Sequence, residues 1–195
     1  MNNYEYIIAG LPLLQQDGRE NPDTEAILAD IRGQLGAKDN QALGLLLDSY
    51  DTSRLDADLY RKAADSHNKF IRNFFALDLG VRNAKVEYLN RTLGRPEGTD
   101  VLILDPENES TEFEQKAEVD AILEGSDILA RERGLDDFYW KAVDTLTVMD
   151  VFDLDVILAF VVKLKLVERW LRLDEAAGRE LFRKLVKEIK ENYTI

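Results

Sequence analysis

The feature that most constrains the fold is the stretch 152–173, which reads FDLDVILAFVVKLKLVERWLRL. Asp153 is a residue type that caps helix starts, and residues 156–162 are apolar on every side, as in a helix that is buried all round. After this run the helical spacing separates an apolar side from a charged side. The apolar side carries Leu164, Leu166, Val167, Trp170 and Leu171. We therefore predict a core helix around which the rest of the chain packs.

The charged residues of this helix set further limits. Lys163 lies in the middle of the apolar side, so we expect its amine to reach water or an acidic partner. Lys165, Glu168, Arg169 and Arg172 share the other side, and Glu168 and Arg172 have the spacing of a favourable i,i+4 pair. The uncharged run is seven residues long, whereas a membrane span needs about 20. The pattern therefore predicts a core helix and no membrane span.

The composition of the 195-residue chain indicates a folded soluble protein, with 45% hydrophobic and 32% charged residues. The chain has no cysteine, which excludes disulfides and thiolate chemistry and fits a reducing cytoplasm. Residues 1–14 lack the basic start and unbroken apolar run of a signal peptide. A net charge of −13 argues against a nucleic-acid partner.

The charge is unevenly distributed along the sequence. Residues 100–137 contain 13 acidic and 3 basic side chains, whereas residues 161–195 contain 6 acidic and 9 basic ones. Such asymmetry predicts an acidic surface at one place and a mildly basic one at another. Each is read either as a solvated face or as a docking surface.

Apolar residues recur at helical spacing along most of the chain, which predicts an all-α fold. We expect a multi-helix bundle of long antiparallel helices in a single domain, 1–195. The longest pattern begins at Ser53 or Asp56 and is broken or bent at Gly80. Gly134 is interpreted as another turn, with a helix beginning after it.

Residues 95–111 are the clearest loop, because proline, glycine and acidic residues surround a short apolar run at 101–104. That run is either a strand or a plug into the core. The loop divides the chain into two candidate lobes, 1–94 and 112–195. A last amphipathic helix is expected from Asp174 onward.

Two eight-residue windows suggest an internal duplication. Residues 59–66 and 138–145 share Tyr, Lys, Ala and Asp at an offset of 79. Each window is expected to open a long helical passage, so we predict two related helical units.

Motifs that carry chemistry are absent from the sequence. The single histidine, His67, is expected on the aromatic stripe of the longest helix as a core or boundary side chain. The chain has no Glu-x-x-His pair and no glycine-rich phosphate loop. No Gly-x-Ser-x-Gly accompanies His67. We therefore expect no enzyme activity, no metal and no cofactor.

Three stretches resemble one family of short bacterial proteins that is encoded with V-type ATPase subunits. This family is similar to the C subunit of V/A-type ATP synthases, whose eukaryotic form is the d subunit. The resembling residues are YEYIIAGLP at 4–12, NFF with Leu79 and RNAK within 73–85, and LAF, KLK, ERW, LD, GRE and Phe182 within 158–182. That ATP synthase component is also built from related helical units, although it is longer than this chain.

The resemblance implies a non-catalytic connector of a rotary ATPase. Such a connector binds the central-stalk subunits and the membrane ring, transmits torque for proton or sodium transport, and needs no cofactor. It would be cytoplasmic and peripheral to the inner membrane. Our candidate partner-binding residues are Lys163, Lys165, Arg169, Trp170 and Arg172. The alternative is a helical adaptor or scaffold with an unrelated partner.

Overall fold

The computed structural model describes residues 4–16, 22–104 and 113–172. These residues form eight α-helices and no strand, which confirms the predicted all-α fold. The predicted last helix from Asp174 lies outside the described residues. The helices are α1 (Tyr4–Gly10), α2 (Thr24–Gln34), α3 (Ala37–Asp48), α4 (Ala57–Ala64), α5 (Lys69–Leu93), α6 (Lys116–Leu123), α7 (Ile128–Leu146) and α8 (Leu154–Arg172).

Helix α8 is the centre of the bundle, as its apolar sequence predicts. It contacts α1, α2, α3, α5 and α7. Asp153 caps its first turn by accepting the backbone N–H groups of Asp155 at 3.0 Å and Val156 at 3.3 Å. Its fully buried side chains are Ile157, Leu158, Val161, Val162 and Leu164. None of the described helices is both long and apolar enough to cross a membrane.

The buried side chains form two hydrophobic clusters. The larger cluster combines residues of α1 to α5 with residues of α7 and α8. The smaller cluster lies among α5, α6 and α7. Helices α5 and α7 contribute to both clusters, so they join the two parts of the core. The division into lobes 1–94 and 112–195 stays a prediction.

The longest helical pattern is interrupted earlier than Gly80. Helix α4 begins after Asp56, whose carboxylate accepts the N–H of Leu59, and ends at Ala64. Asn68 then caps α5, which continues through Gly80 to Leu93. The expectation for His67 was therefore wrong, because this residue lies exposed in the turn between α4 and α5.

Gly80 and Gly134 mark close approaches rather than turns. A Cβ atom on Gly80 would lie 2.5 Å from the Phe113 ring, and one on Gly134 would lie 2.9 Å from Ile122 Cγ2. Both glycines lie inside helices, so the predicted turn at Gly134 was wrong. A missing side chain lets α5 and α7 admit a neighbouring side chain at these points.

The described part of the loop, 95–104, has no strand, and its apolar run acts as a plug. Asn83 on α5 binds both backbone groups of Leu102: its Nδ2 donates to the carbonyl at 2.9 Å, and its Oδ1 accepts the N–H at 3.0 Å. Leu102 and Leu104 pack against the larger cluster, whereas Ile103 is exposed.

Candidate functional site

Of the basic residues expected to bind partners, the three whose side chains the structure describes are engaged within the chain. Lys163 pairs with Asp144 on α7, and its Nζ lies 4.8 Å from the centroid of the Trp140 ring. This confirms that Lys163 meets an acidic partner. Lys165 contacts Glu168 at 2.9 Å on the same helix. The Lys163 contacts link α8 to α7, whereas the Lys165 contact lies within α8.

Arg169 and Trp170 are engaged in the same way, through α7. Arg169 contacts Glu132 at 2.7 Å and Asp136 at 3.4 Å. Trp170 donates its indole N–H to Asp136, and Arg133 lies 5.1 Å from the centroid of the indole ring. The side chain of Arg172, and with it the expected Glu168–Arg172 pair, lies outside the described part of the structure.

Asp136 is the buried centre of these contacts. Its side chain is almost fully buried, and burial raises the pKa of its carboxyl above the ordinary value. Arg169 and the Trp170 hydrogen bond oppose that rise, but burial outweighs them. The arrangement clamps α7 against α8.

A second buried carboxylate, Asp78, joins three helices. Its Oδ2 accepts Tyr60 Oη of α4 at 2.6 Å and Arg82 Nε of α5 at 2.7 Å. Its Oδ1 accepts Tyr139 Oη of α7 at 2.7 Å. Burial first, and then the Asp78 charge, raises the pKa of both tyrosines, so both remain hydrogen-bond donors at neutral pH. Both carboxylate oxygens are thus already occupied by donors from within the chain.

The two tyrosines at Asp78 come from the windows that suggested a duplication. Tyr60 and Tyr139 occupy equivalent positions at the offset of 79. The first window lies on α4 and the second on the last part of α7. A turn, an Asn or Asp cap and a long helix follow each window. The duplication itself stays a prediction.

One group of exposed apolar side chains lies in the turn between α7 and α8. We call them the tip surface: Val148, Met149, Val151 and Phe152, with exposed fractions of 74%, 86%, 64% and 55%. Isolated exposed apolar side chains are ordinary, but four of them within five residues of sequence are a candidate contact surface.

A second apolar surface lies at the opposite end of the α7–α8 pair. We call it the groove: an open cavity of about 620 Å³ lined by Asp127, Ile128, Leu129, Glu132 and Arg169. Ile128 and Leu129 are largely exposed. Among the residues that the structure describes, no group of three or more acidic or histidine side chains is arranged to hold a metal ion.

The pairing of α7 with α8 fixes the distance between these surfaces. The Asp144–Lys163 and Glu132–Arg169 contacts show that the two helices are antiparallel. The tip surface follows the end of α7, and the groove lies at its start. Since α7 has 19 residues, the two surfaces are about 28 Å apart.

The comparison with known families gives one match. The family model described as "Protein of unknown function (DUF2764)" matches residues 51–193. This chain belongs to the DUF2764 family. No curated protein and no solved structure matches it. The DUF2764 match contains Asp78, Asp136, the tip surface and the groove, whereas α1 to α3 precede it.

From the sequence we chose four basic side chains and Trp170, and we did not choose the two apolar surfaces. A signal was present at 147–153, TVMDVFD, because four large apolar residues occupy a turn where polar residues are usual. Asp78 also had a signal, since it is an acidic residue at helical spacing within the apolar stripe of α5.

Proposed function

We propose that this DUF2764 protein is a non-catalytic connector of a V/A-type rotary ATPase, similar to the C or d subunit of those complexes. It links the central-stalk subunits to the membrane ring from the cytoplasmic side. The observation that carries the proposal is the pair of apolar surfaces, the tip surface and the groove, at opposite ends of one helical hairpin. A connector needs two separate docking surfaces on a body that keeps their distance fixed.

The position of the resembling stretches supports this choice of partner. The stretch 158–170 belongs to α8, 73–85 to α5, and 4–10 to α1. Both α1 and α5 contact α8. The resemblance therefore falls on the helices that build the body, while its remaining part, 173–182, lies outside the described residues.

The contacts between α7 and α8 support a mechanical role. Three side-chain links join the helices along their length, from Asp144–Lys163 through Asp136–Trp170 to Glu132–Arg169. These links, of which Asp136–Trp170 and Glu132–Arg169 are partly buried, resist sliding of one helix past the other, because sliding would separate every pair at once. The hairpin can thus transmit a load between its two ends without chemistry at either.

The test is an affinity capture of the tagged full-length chain from detergent-solubilised cells of its source, read by mass spectrometry. The double variant Met149→Gln/Phe152→Gln removes apolar contact from the tip surface. Its matched control is Leu13→Gln, at another highly exposed apolar residue. We expect the wild type and the control to recover the stalk subunits and the membrane ring, and the double variant to lose one of these partners.

Recovery of neither partner, from an extract in which the ATPase is intact, would contradict the connector role. The chain would then be a helical adaptor with a different partner. Equal recovery by the wild type and the double variant would instead show that the tip surface is not a docking site for the complex.

A further inference from the structure

We propose that the tip surface docks on a basic amphipathic helix of a partner protein. The helix would present apolar side chains to Val148, Met149, Val151 and Phe152, with lysine or arginine at its flanks. This inference deepens the connector role and rests on it for the presence of a partner. What the inference adds is the kind of side chains that the partner presents.

The apolar part of the argument comes from how the turn is built. Helix α7 ends at Leu146 and α8 begins at Leu154, and the residues between them form a turn and bends outside the core. More than half of each apolar side chain of the tip surface is exposed. A backbone hydrogen bond closes this turn: the Asp150 N–H donates to the Thr147 carbonyl at 2.9 Å.

Three acidic residues lie in or beside the tip surface, and one basic residue, Lys69 of α5, acts on the last of them. Asp150 lies within this surface, and Asp153 and Asp155 follow directly. Asp150 has no hydrogen bond or ion pair from its side chain among the described residues, whereas Asp153 caps α8 and Asp155 accepts Asn68 Nδ2 at 2.5 Å. Burial raises the pKa of Asp155, and the nearby charges of Asp153 and Asp150 add to the rise. The charges of Asp153 and Asp150 therefore both act on the Asp155 carboxylate.

This combination favours a protein partner over a lipid surface. Peripheral membrane segments place basic residues beside their apolar side chains, because bacterial and cytoplasmic membrane surfaces are anionic. The carboxylates at the tip surface have the wrong sign for that role. A partner with an apolar centre and a basic rim instead matches both the apolar side chains and the excess negative charge of the tip surface.

Met149 provides a direct probe, because the chain has only two methionines, Met1 and Met149. The full-length protein is labelled with ¹³C at the methionine methyl groups and titrated with a synthetic helical peptide of leucine and lysine. We expect a saturable shift of the Met149 signal, with an affinity that falls about tenfold as salt is raised from low to high concentration. Asp150→Asn should weaken binding about threefold.

Three controls complete the experiment. A leucine–glutamate peptide with the same apolar face should leave Met149 unchanged. The variant Asp58→Asn changes an exposed carboxylate on α4 and should bind the lysine peptide as the wild type does. Vesicles of phosphatidylcholine and phosphatidylglycerol test the lipid surface.

Several outcomes would overturn the inference: no response to the lysine peptide, an equal response to both peptides, or a Met149 shift caused by the vesicles alone. These failures are distinguishable from failure of the connector role. If the capture experiment recovers the ATPase while the Met149 signal does not respond to the lysine peptide, the connector role stands without this docking chemistry. If Met149 binds the lysine peptide but no ATPase component is recovered, the docking chemistry belongs to another complex.

Discussion

At the scale of single residues, the carboxylate of Asp78 accepts hydrogen bonds from Tyr60, Tyr139 and Arg82 on three different helices. The tyrosine hydroxyls keep their protons, so the network depends on Asp78 as the acceptor. Removing an acceptor from a buried network leaves its donors without partners, which costs more than the hydrogen bonds contribute on balance.

The variant Asp78→Ala should lower the free energy of unfolding by about 3 kcal/mol, because two buried hydroxyls lose their acceptor. Urea denaturation measures this change. The control Asp58→Ala removes an exposed carboxylate paired with Arg61 and should cost less than about 1 kcal/mol. Equal effects of the two substitutions would contradict a structural role for the Asp78 network.

The raised pKa of Asp136 predicts how the free energy of unfolding depends on pH. Its raised pKa means that the folded state holds the proton more tightly than the unfolded chain does. The stability from this proton is complete below the ordinary aspartate pKa of about 3.9 and is lost as pH rises through the raised folded value. The unfolding free energy of the wild type relative to Asp136→Asn should therefore decrease across that window.

Chemical denaturation at a series of pH values measures this difference, since other titrating groups are common to both proteins. A difference that instead increases with pH would mean that Arg169 and Trp170 stabilise the anion more than burial disfavours it.

At the scale of elements, the close approaches at Gly80 and Gly134 position the segment that leads into α6 against α5, and α6 itself against α7. Phe113 packs at Gly80, and Ile122 packs at Gly134. A glycine inside a helix normally weakens it relative to alanine. Here the absence of a side chain is what allows the neighbouring residue to pack, so the usual effect of a substitution should be reversed.

The variant Gly80→Ala should lower the free energy of unfolding by about 1–3 kcal/mol, because the new methyl group would overlap the Phe113 ring. Gly44→Ala is the matched control, since Gly44 lies in α3 with open space around its Cβ position. This control should stabilise the protein by about 0.5–1 kcal/mol. A similar gain in both variants, measured by thermal unfolding, would show that Phe113 does not pack in this way.

These elements also show what the sequence can predict. The apolar run of α8 and the cap at Asp153 follow from local patterns, and both were predicted correctly. Gly134 was misread as a turn and Gly80 as a break or bend, because a glycine in a turn and a glycine under a neighbouring side chain look identical in the local sequence. The tip surface was missed because exposure depends on which residues the other helices leave uncovered, and no local pattern contains that information.

At the scale of the whole molecule, α8 connects helices from the beginning and the end of the described chain. Its side chains belong to the larger cluster, and α5 and α7 continue into the smaller one. A core linked in this way should unfold as one unit, because loss of α8 removes the packing surface of most other helices.

The variant Leu158→Ala should lower the free energy of unfolding by about 2–5 kcal/mol, because Leu158 is fully buried at the centre of α8. Far-ultraviolet circular dichroism reports all helices, and tryptophan fluorescence reports α7 and α8. Both should shift together to lower denaturant. Leu13→Ala, at an exposed residue, should leave both transitions in place, and separate midpoints for the two signals would contradict a single unit.

The packing of Phe113 at Gly80 and of Ile122 at Gly134 has a consequence for how the molecule deforms. Each side chain occupies the space on the neighbouring helix that the glycine leaves free. Sliding of α6 along α7, or of the segment before α6 along α5, would have to move a methyl group or a ring out of a close-packed site. Under load the bundle should therefore bend or turn as one piece before its helices slip.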